Sequence, residues 1–212
     1  MPFALLVESP LGFLVWVLAI VAALSVHEFS HALMGTRLGD PTAERAGRLT
    51  LNPVAHIDPI GFLALIFVGF GWGKPVPFNP YNLRNQVWGP TAIAFAGPLA
   101  NFITATGAVV VLKILNLALA LPVNNLLIQF LHLLLVINVL LAVFNLIPIP
   151  PLDGSKLLFS LLAAPKYDQL RHKLETRGPF ILLLIILLDN FLGIGLLGRL
   201  FQTVLSFIYR LV

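Results

Sequence analysis

Charged residues are scarce in this chain. Only 10 % of its 212 residues are Asp, Glu, Lys or Arg, whereas an ordinary soluble domain carries roughly a quarter. Hydrophobic residues make up 58 % of the sequence, and the mean hydropathy is +0.96. This composition excludes an ordinary soluble domain and indicates a protein that crosses a membrane several times.

Cysteine is absent altogether. Its absence excludes a disulfide framework and metal sites built on thiolates. The net charge of +4 does not indicate a nucleic-acid partner, because the basic residues fall in a few loops. The first residues lack the basic region and the cleavage site of a signal peptide, which predicts that the first apolar run is retained as a span.

Long apolar runs divide the chain into predicted membrane spans, since a helix needs about 20 apolar residues to cross a bilayer. The spans lie at about 11–35, 91–119, 125–147 and 180–211, the last with a break near 189–195 that allows one interrupted helix or two short crossings. The sequence therefore predicts a single, all-α polytopic membrane domain over 1–212. Three helices form its core, and one or two further helices follow.

Lys and Arg concentrate in three loops. Segments 36–58, 73–90 and 151–178 carry three, two and five of them, whereas the amino terminus and the 118–124 connection carry none. The positive-inside rule therefore predicts that the basic loops are cytoplasmic and that the amino terminus is external. The carboxyl ends of the first and third spans then lie near the cytoplasmic face.

Short segments between the first two spans have other signatures. Residues 60–72 are apolar, glycine-rich and too short for a confident span, which predicts a re-entrant segment or shallow hairpin covered by protein. Residues 48–52 alternate in polarity as a short strand does. Residues 74–79 contain prolines that cannot donate to a ladder, which favours an extended edge segment.

The first span ends in the motif His27-Glu28-Phe-Ser-His31. On a helix this spacing places the two imidazoles one turn apart on the same face, where each can offer a ring nitrogen to one Zn²⁺. Glu28 is then placed to take the proton of an attacking water. Ionisable groups inside a span are unfavourable unless they are paired or bound to an ion, which supports a zinc site.

A catalytic zinc needs three protein ligands and one open position, so a third ligand must come from elsewhere. Asp153 is the strongest candidate, because it follows the third span inside a proline-rich break, next to Gly154. His56 competes with it, since it lies in a loop close in sequence to the motif. His132 and His172 are weaker candidates, and the residues alone leave the choice open.

Further motifs follow in order along the chain. AGPLAN (96–101) lies on the second long span, and FNLIPIPPLDG (144–154) ends the third. Together with HEFSH they resemble the site-2 protease family of intramembrane zinc metalloproteases. LNPVAHIDPIG and GWGKPVPFNP resemble segments that a compact subgroup, without PDZ or CBS domains, carries between the first two motifs.

The resemblance implies one zinc ion per chain, with His27, His31 and Asp153 as ligands and Glu28 as the general base. Asn145 matches a position associated with substrate or oxyanion binding and is expected to be catalytic. We also expect the extended segments 48–52 and 74–79 to pair with an unwound substrate strand. Further expected substrate contacts are Lys74, Pro75, Val76, Asn101 and His56.

The resemblance also implies an intramembrane zinc endopeptidase that hydrolyses peptide bonds within or next to transmembrane segments, as in regulated intramembrane proteolysis. The expected partners are a membrane-anchored protein substrate, membrane lipid and an upstream protease that trims the substrate first. A nucleic-acid partner is not expected. The expected location is the cell membrane of a prokaryote, with the active site toward the cytoplasmic side.

Other classes of function are less compatible with the motifs. A di-iron carboxylate site would need a second Glu-x-x-His, which neither Glu44 nor Glu175 begins. A multi-pass transporter could use Asp189, His132 and Lys113 as a relay, but it would leave HEFSH and PPLDG unexplained. A catalytically silent membrane scaffold would tend to lose the base or a ligand. This chain retains the base and the three expected ligands, which are Glu28, His27, His31 and Asp153.

Overall fold

The computed structural model describes residues 2–193 and 195–209, and these residues contain helices but no strand. Three single-turn 3₁₀ helices lie at Pro53–Ala55, Pro80–Asn82 and Pro165–Tyr167. The all-α prediction is therefore confirmed. The α-helices are α1 Pro2–Glu8, α2 Pro10–Arg37, α3 Thr42–Arg45, α4 Pro59–Val68, α5 Gly89–Leu119, α6 Leu126–Asn145, α7 Gly154–Leu161, α8 Asp168–Phe191 and α9 Leu196–Tyr209.

The helices α2, α5 and α6 are long and apolar enough to cross a membrane, with 28, 31 and 20 residues. They cover the predicted spans 11–35, 91–119 and 125–147 almost residue for residue. Large apolar side chains remain exposed on their outer faces, as at Leu117, which is 89 % exposed. Such faces suit lipid rather than water, and the chain is a membrane protein.

Small residues allow these three helices to pack closely. Ala19 and Ala23 of α2 are buried, as are Ala105 and Ala108 of α5. The α5 alanines pack in one cluster with larger side chains of α6 such as Leu135. Because lipid tails are as apolar as leucine, contact between helices in a membrane depends on this close approach.

The chain between α2 and α5 reverses direction beside α2. Ile57 and Gly73 form an isolated antiparallel bridge, and the Lys74 N–H donates to the His56 carbonyl at 2.8 Å. The ends of the predicted re-entrant segment 60–72 therefore lie together, with α4 between them. A Cβ on Gly61 would lie 2.1 Å from the Trp72 carbonyl oxygen, so only glycine fits this reversal. The depth of the segment in a membrane stays a prediction.

Residues 48–52 do not form the predicted strand, and that prediction is wrong. The Thr50 hydroxyl accepts from the Asn52 N–H at 3.1 Å. The Asn52 side chain in turn accepts from the Val54 N–H at 3.1 Å and caps the 3₁₀ helix at Pro53–Ala55. These local side-chain bonds compete with a strand ladder and outweigh a five-residue alternation in polarity.

The carboxyl-terminal part contains more helix than the sequence predicts. The segment 151–178, predicted as a basic loop, holds α7 and the beginning of α8. The predicted span 180–211 forms α8 and α9 with a turn between them; Ile194 and 210–211 lie outside the described residues. The Asp189 carboxylate accepts from the Leu196 and Leu197 N–H groups at 2.6 and 3.2 Å. Asp189 therefore caps α9.

Candidate metal centre

The motif near the carboxyl end of α2 turns its ionisable side chains into the protein. His27, Glu28 and His31 are all buried, and Glu28 is 9 % exposed. The two imidazole Nε2 atoms lie 2.9 Å apart, as the one-turn spacing predicts. The helix alone therefore brings two candidate metal ligands together.

Asp153 reaches this pair from the segment that links α6 to α7. Its Oδ2 atom lies 3.2 Å from the His27 Nε2 and 3.3 Å from the His31 Nε2. Gly154 makes the approach possible, because a Cβ there would lie 2.2 Å from the Leu146 carbonyl oxygen. The structure thus brings together the two histidines and the carboxylate named from the sequence.

Hydrogen bonds on the far side of each imidazole fix its orientation. The His31 Nδ1–H donates to the Ile93 carbonyl at 2.7 Å, and the His27 Nδ1–H donates to the Asn101 Oδ1 at 2.6 Å. The orientation of the Asn101 amide is itself determined, since its Nδ2 donates to the Ala23 carbonyl and to the Asn138 Oδ1. Main-chain carbonyls can only accept. The Ile93 carbonyl therefore requires the His31 proton on Nδ1. The Ala23 carbonyl requires the Asn101 Nδ2 beside it, so the Asn101 Oδ1 faces His27 and accepts from its Nδ1–H.

This proton arrangement fits a metal ion. In the neutral imidazoles, with the protons on Nδ1, both Nε2 atoms carry lone pairs, and they face each other and Asp153. The Asp153 Oδ2 is buried and has no hydrogen-bond partner among the described residues. The ligand atoms lie within 4.8 Å of one another. Three lone-pair donors this close repel one another unless a cation lies among them, and two nitrogens with one oxygen are a typical zinc ligand set.

The second long span supplies the surface behind the imidazoles. A Cβ on Gly97 would lie 2.5 Å from the His31 Nε2 and 2.7 Å from the His27 Cε1. The next residue, Pro98, lies inside α5 and has no N–H, so the Ala94 carbonyl four residues before it receives no helical hydrogen bond. The AGPLAN motif therefore allows the close approach and supplies the polar support of the metal centre.

Arg48 is a buried residue of this site that the sequence analysis did not single out. Only 4 % of it is exposed, and its guanidinium lies 4.0 Å from the Glu28 carboxylate. It also bonds to the His56 Nδ1 at 3.3 Å, while the His56 Nε2 donates to the Thr50 carbonyl at 2.7 Å. An arginine eight residues before a histidine has no recognised spacing rule, so the sequence offered no signal for this pair.

A cavity of about 860 Å³ opens on the metal centre. Glu28 and Asn145 line it, and the Asn145 Nδ2 donates to the Leu141 carbonyl at 2.9 Å. Most of its remaining walls are apolar, including Phe70, Phe144 and the α9 residue Phe201. An extended apolar segment with a polar backbone suits such a cavity.

The predicted substrate contacts divide into two groups. Pro75 and Val76 line the cavity. Asn101 and His56 are completely buried elsewhere, Asn101 behind His27 and His56 beside Arg48, and Lys74 does not line the cavity with them. Their role as substrate contacts stays a prediction, because a motif places a residue in sequence and does not show which way its side chain points.

The other histidines and the acidic relay residue do not belong to the metal-binding group of the described residues. Among the described residues, the group that could hold a metal contains His27, His31 and Asp153 but neither His56 nor His132. The carboxylate of Asp189 is occupied as the cap of α9. The proposed transporter relay therefore loses its acidic member, since that carboxylate has a structural role.

Comparison with known proteins agrees with this geometry. A family model described as Peptidase family M50 matches residues 114–188. The chain is 33 % identical over 149 residues to YwhC of Bacillus subtilis (strain 168), provisionally named a zinc metalloprotease, and the match covers 69 % of this chain and 68 % of YwhC. No solved structure matches the chain significantly.

A second relative is Rip2 of Mycolicibacterium smegmatis (strain ATCC 700084 / mc(2)155), also provisionally named a zinc metalloprotease. It is 33 % identical over 139 residues, which are 62 % of this chain and 51 % of Rip2. The chain thus spans about half the length of Rip2 and two thirds of YwhC. On this evidence of sequence, with two members of the metal-binding group on one membrane helix and the third in the segment after another, the chain belongs to peptidase family M50, the site-2 protease family, and is a zinc metalloprotease of the membrane.

Proposed function

We propose that this protein is an intramembrane endopeptidase that hydrolyses peptide bonds within or next to transmembrane segments of membrane-anchored proteins. The observation that carries the proposal is where the metal-binding group lies. Two of its members are on α2, and the third follows α6, both helices apolar enough to cross a membrane. The group faces a largely apolar cavity, which would favour a hydrophobic segment over a soluble peptide.

The described residues supply a complete set of hydrolytic roles. His27, His31 and Asp153 would hold Zn²⁺, which when bound activates water and polarises a scissile carbonyl. Glu28 would take the proton of the attacking water and deliver it to the leaving amine, because it lines the same cavity beside His27. Asn101 would keep His27 in the tautomer that leaves its Nε2 free.

Asn145 is a candidate to stabilise the developing oxyanion. One hydrogen of its amide donates to the Leu141 carbonyl, and an amide carries two. The second could donate to the carbonyl oxygen of a substrate in the cavity that Asn145 lines. One well-placed donor of this kind is worth roughly 3–4 kcal/mol.

A helical substrate would need to unwind before cleavage, because helical carbonyls are already hydrogen-bonded. The segment 74–79, which has no regular secondary structure, is proposed to pair with the unwound strand by β-addition. The structure does not favour the same role for 48–52, whose backbone is engaged in local turns.

The proposed setting follows from charge and from the relatives. By the positive-inside rule the basic loops favour a metal centre toward the cytoplasm of a prokaryotic cell membrane, and both relatives compared above are bacterial. The proposed partners are a single-span protein, lipid and an upstream protease that shortens the substrate, as in regulated intramembrane proteolysis.

The test compares wild type with Glu28→Gln, each measured for bound zinc and for cleavage of a panel of single-span substrates. We expect one zinc per chain in both proteins and a loss of cleavage of about 100- to 10,000-fold in the variant, the range typical of a general base. Glu44→Gln is the matched control, because Glu44 is exposed and outside the cavity. Wild-type protein without zinc, or full cleavage by Glu28→Gln, would refute the proposal.

A further inference from the structure

We propose that Arg48 is a positioning residue that latches the segment 74–78 beside the metal centre and so presents Val76 and Phe78 as a two-residue edge for the substrate backbone. The inference rests on the proposed function, since it concerns how that site receives its substrate. It assigns to Arg48 a role in substrate docking, distinct from zinc binding.

Arg48 joins three parts of the chain. Its guanidinium donates to the Lys74 carbonyl and, at 2.9 Å, to the Pro75 carbonyl. The same group contacts His56 at 3.3 Å and approaches Glu28 at 4.0 Å. A buried guanidinium is unfavourable without such partners, so its position is set by these contacts together. The contacts hold residues 74 and 75 next to the catalytic end of α2.

The latch determines which backbone groups of the segment remain available. The Lys74 N–H donates to the His56 carbonyl, and the Lys74 and Pro75 carbonyls accept from Arg48. Pro75 and Pro77 have no N–H to offer. Over the part of the chain that the structure describes, the N–H and C=O groups of Val76 and Phe78 take part in no hydrogen bond with the protein.

These two residues are placed as a docking edge requires. Val76 and Phe78 both line the cavity at the metal centre. With their backbone N–H and C=O groups unbonded, Val76 and Phe78 are both available to pair with one substrate strand. Beyond them, the Asn79 N–H donates to the Asp40 carboxylate at 2.6 Å. The unbonded backbone of Val76 and Phe78 is therefore fixed on both sides, by Arg48 before it and by Asp40 after it.

Arginine suits this role better than lysine. Two carbonyls and an imidazole are contacted by one planar group, and a guanidinium presents its donors in a fixed fork. A lysine at this position would keep the charge near Glu28 but could not hold both carbonyls in the same geometry. Arg48→Lys therefore removes the paired contacts to the Lys74 and Pro75 carbonyls while it keeps the positive charge near Glu28.

The kinetic test uses the full-length protein in detergent or vesicles with a single-span substrate. Arg48→Lys and Val76→Pro, which removes the Val76 N–H, should each raise KM about tenfold and change kcat less than about threefold. The double variant should be no worse than either single variant, because both remove the same edge contact. Val54→Ala, at a residue that is 79 % exposed and outside the cavity, is the control, with KM within about threefold of wild type.

Cross-linking provides a measurement that does not depend on turnover. The chain has no cysteine, so Val76→Cys in the Glu28→Gln protein can be paired with single cysteines along the substrate. We expect a disulfide with one short stretch of substrate, reduced at least about fivefold by Arg48→Lys at unchanged zinc content. Val54→Cys, 79 % exposed and outside the cavity, is the control.

Each outcome gives a decision. Unchanged KM and cross-linking in Arg48→Lys, with zinc retained, would overturn the latch while leaving the protease intact. Loss of zinc in Arg48→Lys would also overturn it, because Arg48 would then support the metal centre itself. A wild-type protein that lacks zinc or does not cleave would instead refute the proposed function, independently of Arg48.

Discussion

The metal centre lies between two walls of different construction. The inner wall comprises Ile93, Gly97 and Asn101 of α5 with Asn138 of α6, all within regular helices. The outer wall comprises Arg48, His56 and the segment 73–78, which contains no helix. Helical backbone satisfies its own hydrogen bonds, so the inner wall uses side chains and a helix carbonyl to orient histidines. Irregular backbone must be satisfied by others, so the outer wall depends on a buried arginine.

The two walls contact different parts of the site, so we expect the inner wall to support zinc binding and the outer wall to support substrate binding. Every contact of the inner wall described above is to His27 or His31 or supports such a contact. In the outer wall, Arg48 approaches Glu28 and donates to the backbone of the segment 73–78, which lines the cavity. Lesions in the inner wall should therefore remove zinc. Lesions in the outer wall should weaken substrate binding while zinc is retained.

The largest effect is expected from Gly97→Ala. The new Cβ would lie 2.5 Å from the His31 Cε1 and Nε2, closer than real Cβ contacts allow, so the imidazoles must move. We expect the purified variant to contain no stoichiometric zinc and to show no cleavage. Elemental analysis after dialysis against a chelator measures the first effect directly.

Gly107→Ala is the matched control on the same helix, since a Cβ at Gly107 meets nothing within 4 Å. An alanine at an exposed helical site stabilises a protein by roughly 0.4–1 kcal/mol relative to glycine, so this variant should keep zinc and activity. Full zinc occupancy in Gly97→Ala would show that the inner wall can move to accommodate the new Cβ and does not determine the geometry of the metal centre.

A smaller effect is expected from Asn101→Ala. The His27 Nδ1–H would lose its acceptor, and the ring could turn or adopt the other tautomer. Loss of such an outer partner typically lowers metal affinity or activity about 10- to 100-fold, and we expect that range for zinc affinity measured by competition with a chelator. Asn116→Ala changes an exposed asparagine of the same helix and should leave the affinity unchanged. A raised KM at normal zinc affinity would contradict the division between the walls.

The metal ligands were accessible from the sequence, and the outer wall was not. The HEFSH spacing predicts two ligands on one helix face, and the family resemblance implies that Asp153 is the third. The first inference rests on helical periodicity, which is local, and the second on a recognised motif. The roles of Arg48 and His56 depend on where an irregular segment turns, and no short-range pattern determines this. For the same reason the alternation at 48–52 predicted a strand where side-chain caps produce turns.

Asn101 shows an intermediate case. The motif that contains it was recognised, but its side chain was expected to contact substrate. In the structure its amide contacts His27, Ala23 and Asn138, with no exposure. Sequence placed the residue at the site, and only packing could show that it lies behind the ligands.

The smallest effect is expected at the far end of the outer wall, from Asp40→Asn. The buried Asp40 carboxylate accepts from the Asn79 N–H, the Asn82 side chain and both the N–H and hydroxyl of Thr42. Burial alone would raise the pKa of this carboxyl, but the hydrogen bonds outweigh burial and hold the pKa below its ordinary value of 3.8. An asparagine presents N–H groups to some of these donors and should lower the free energy of unfolding by about 1–3 kcal/mol near neutral pH.

The lowered pKa of Asp40 determines how the stability difference between wild type and Asp40→Asn changes with pH. Because the folded pKa of Asp40 is lowered, its stabilising contribution is complete above the unfolded pKa and is lost as pH falls through the folded value. The melting temperatures of wild type and Asp40→Asn should therefore differ near neutral pH and converge below 3.8, whereas Glu44→Gln, an exposed carboxylate nearby, should match wild type throughout. Since Asp40 anchors only the end of the free edge, the variant should keep zinc and raise KM a few-fold. Loss of zinc in Asp40→Asn would mean that the two walls are not independent.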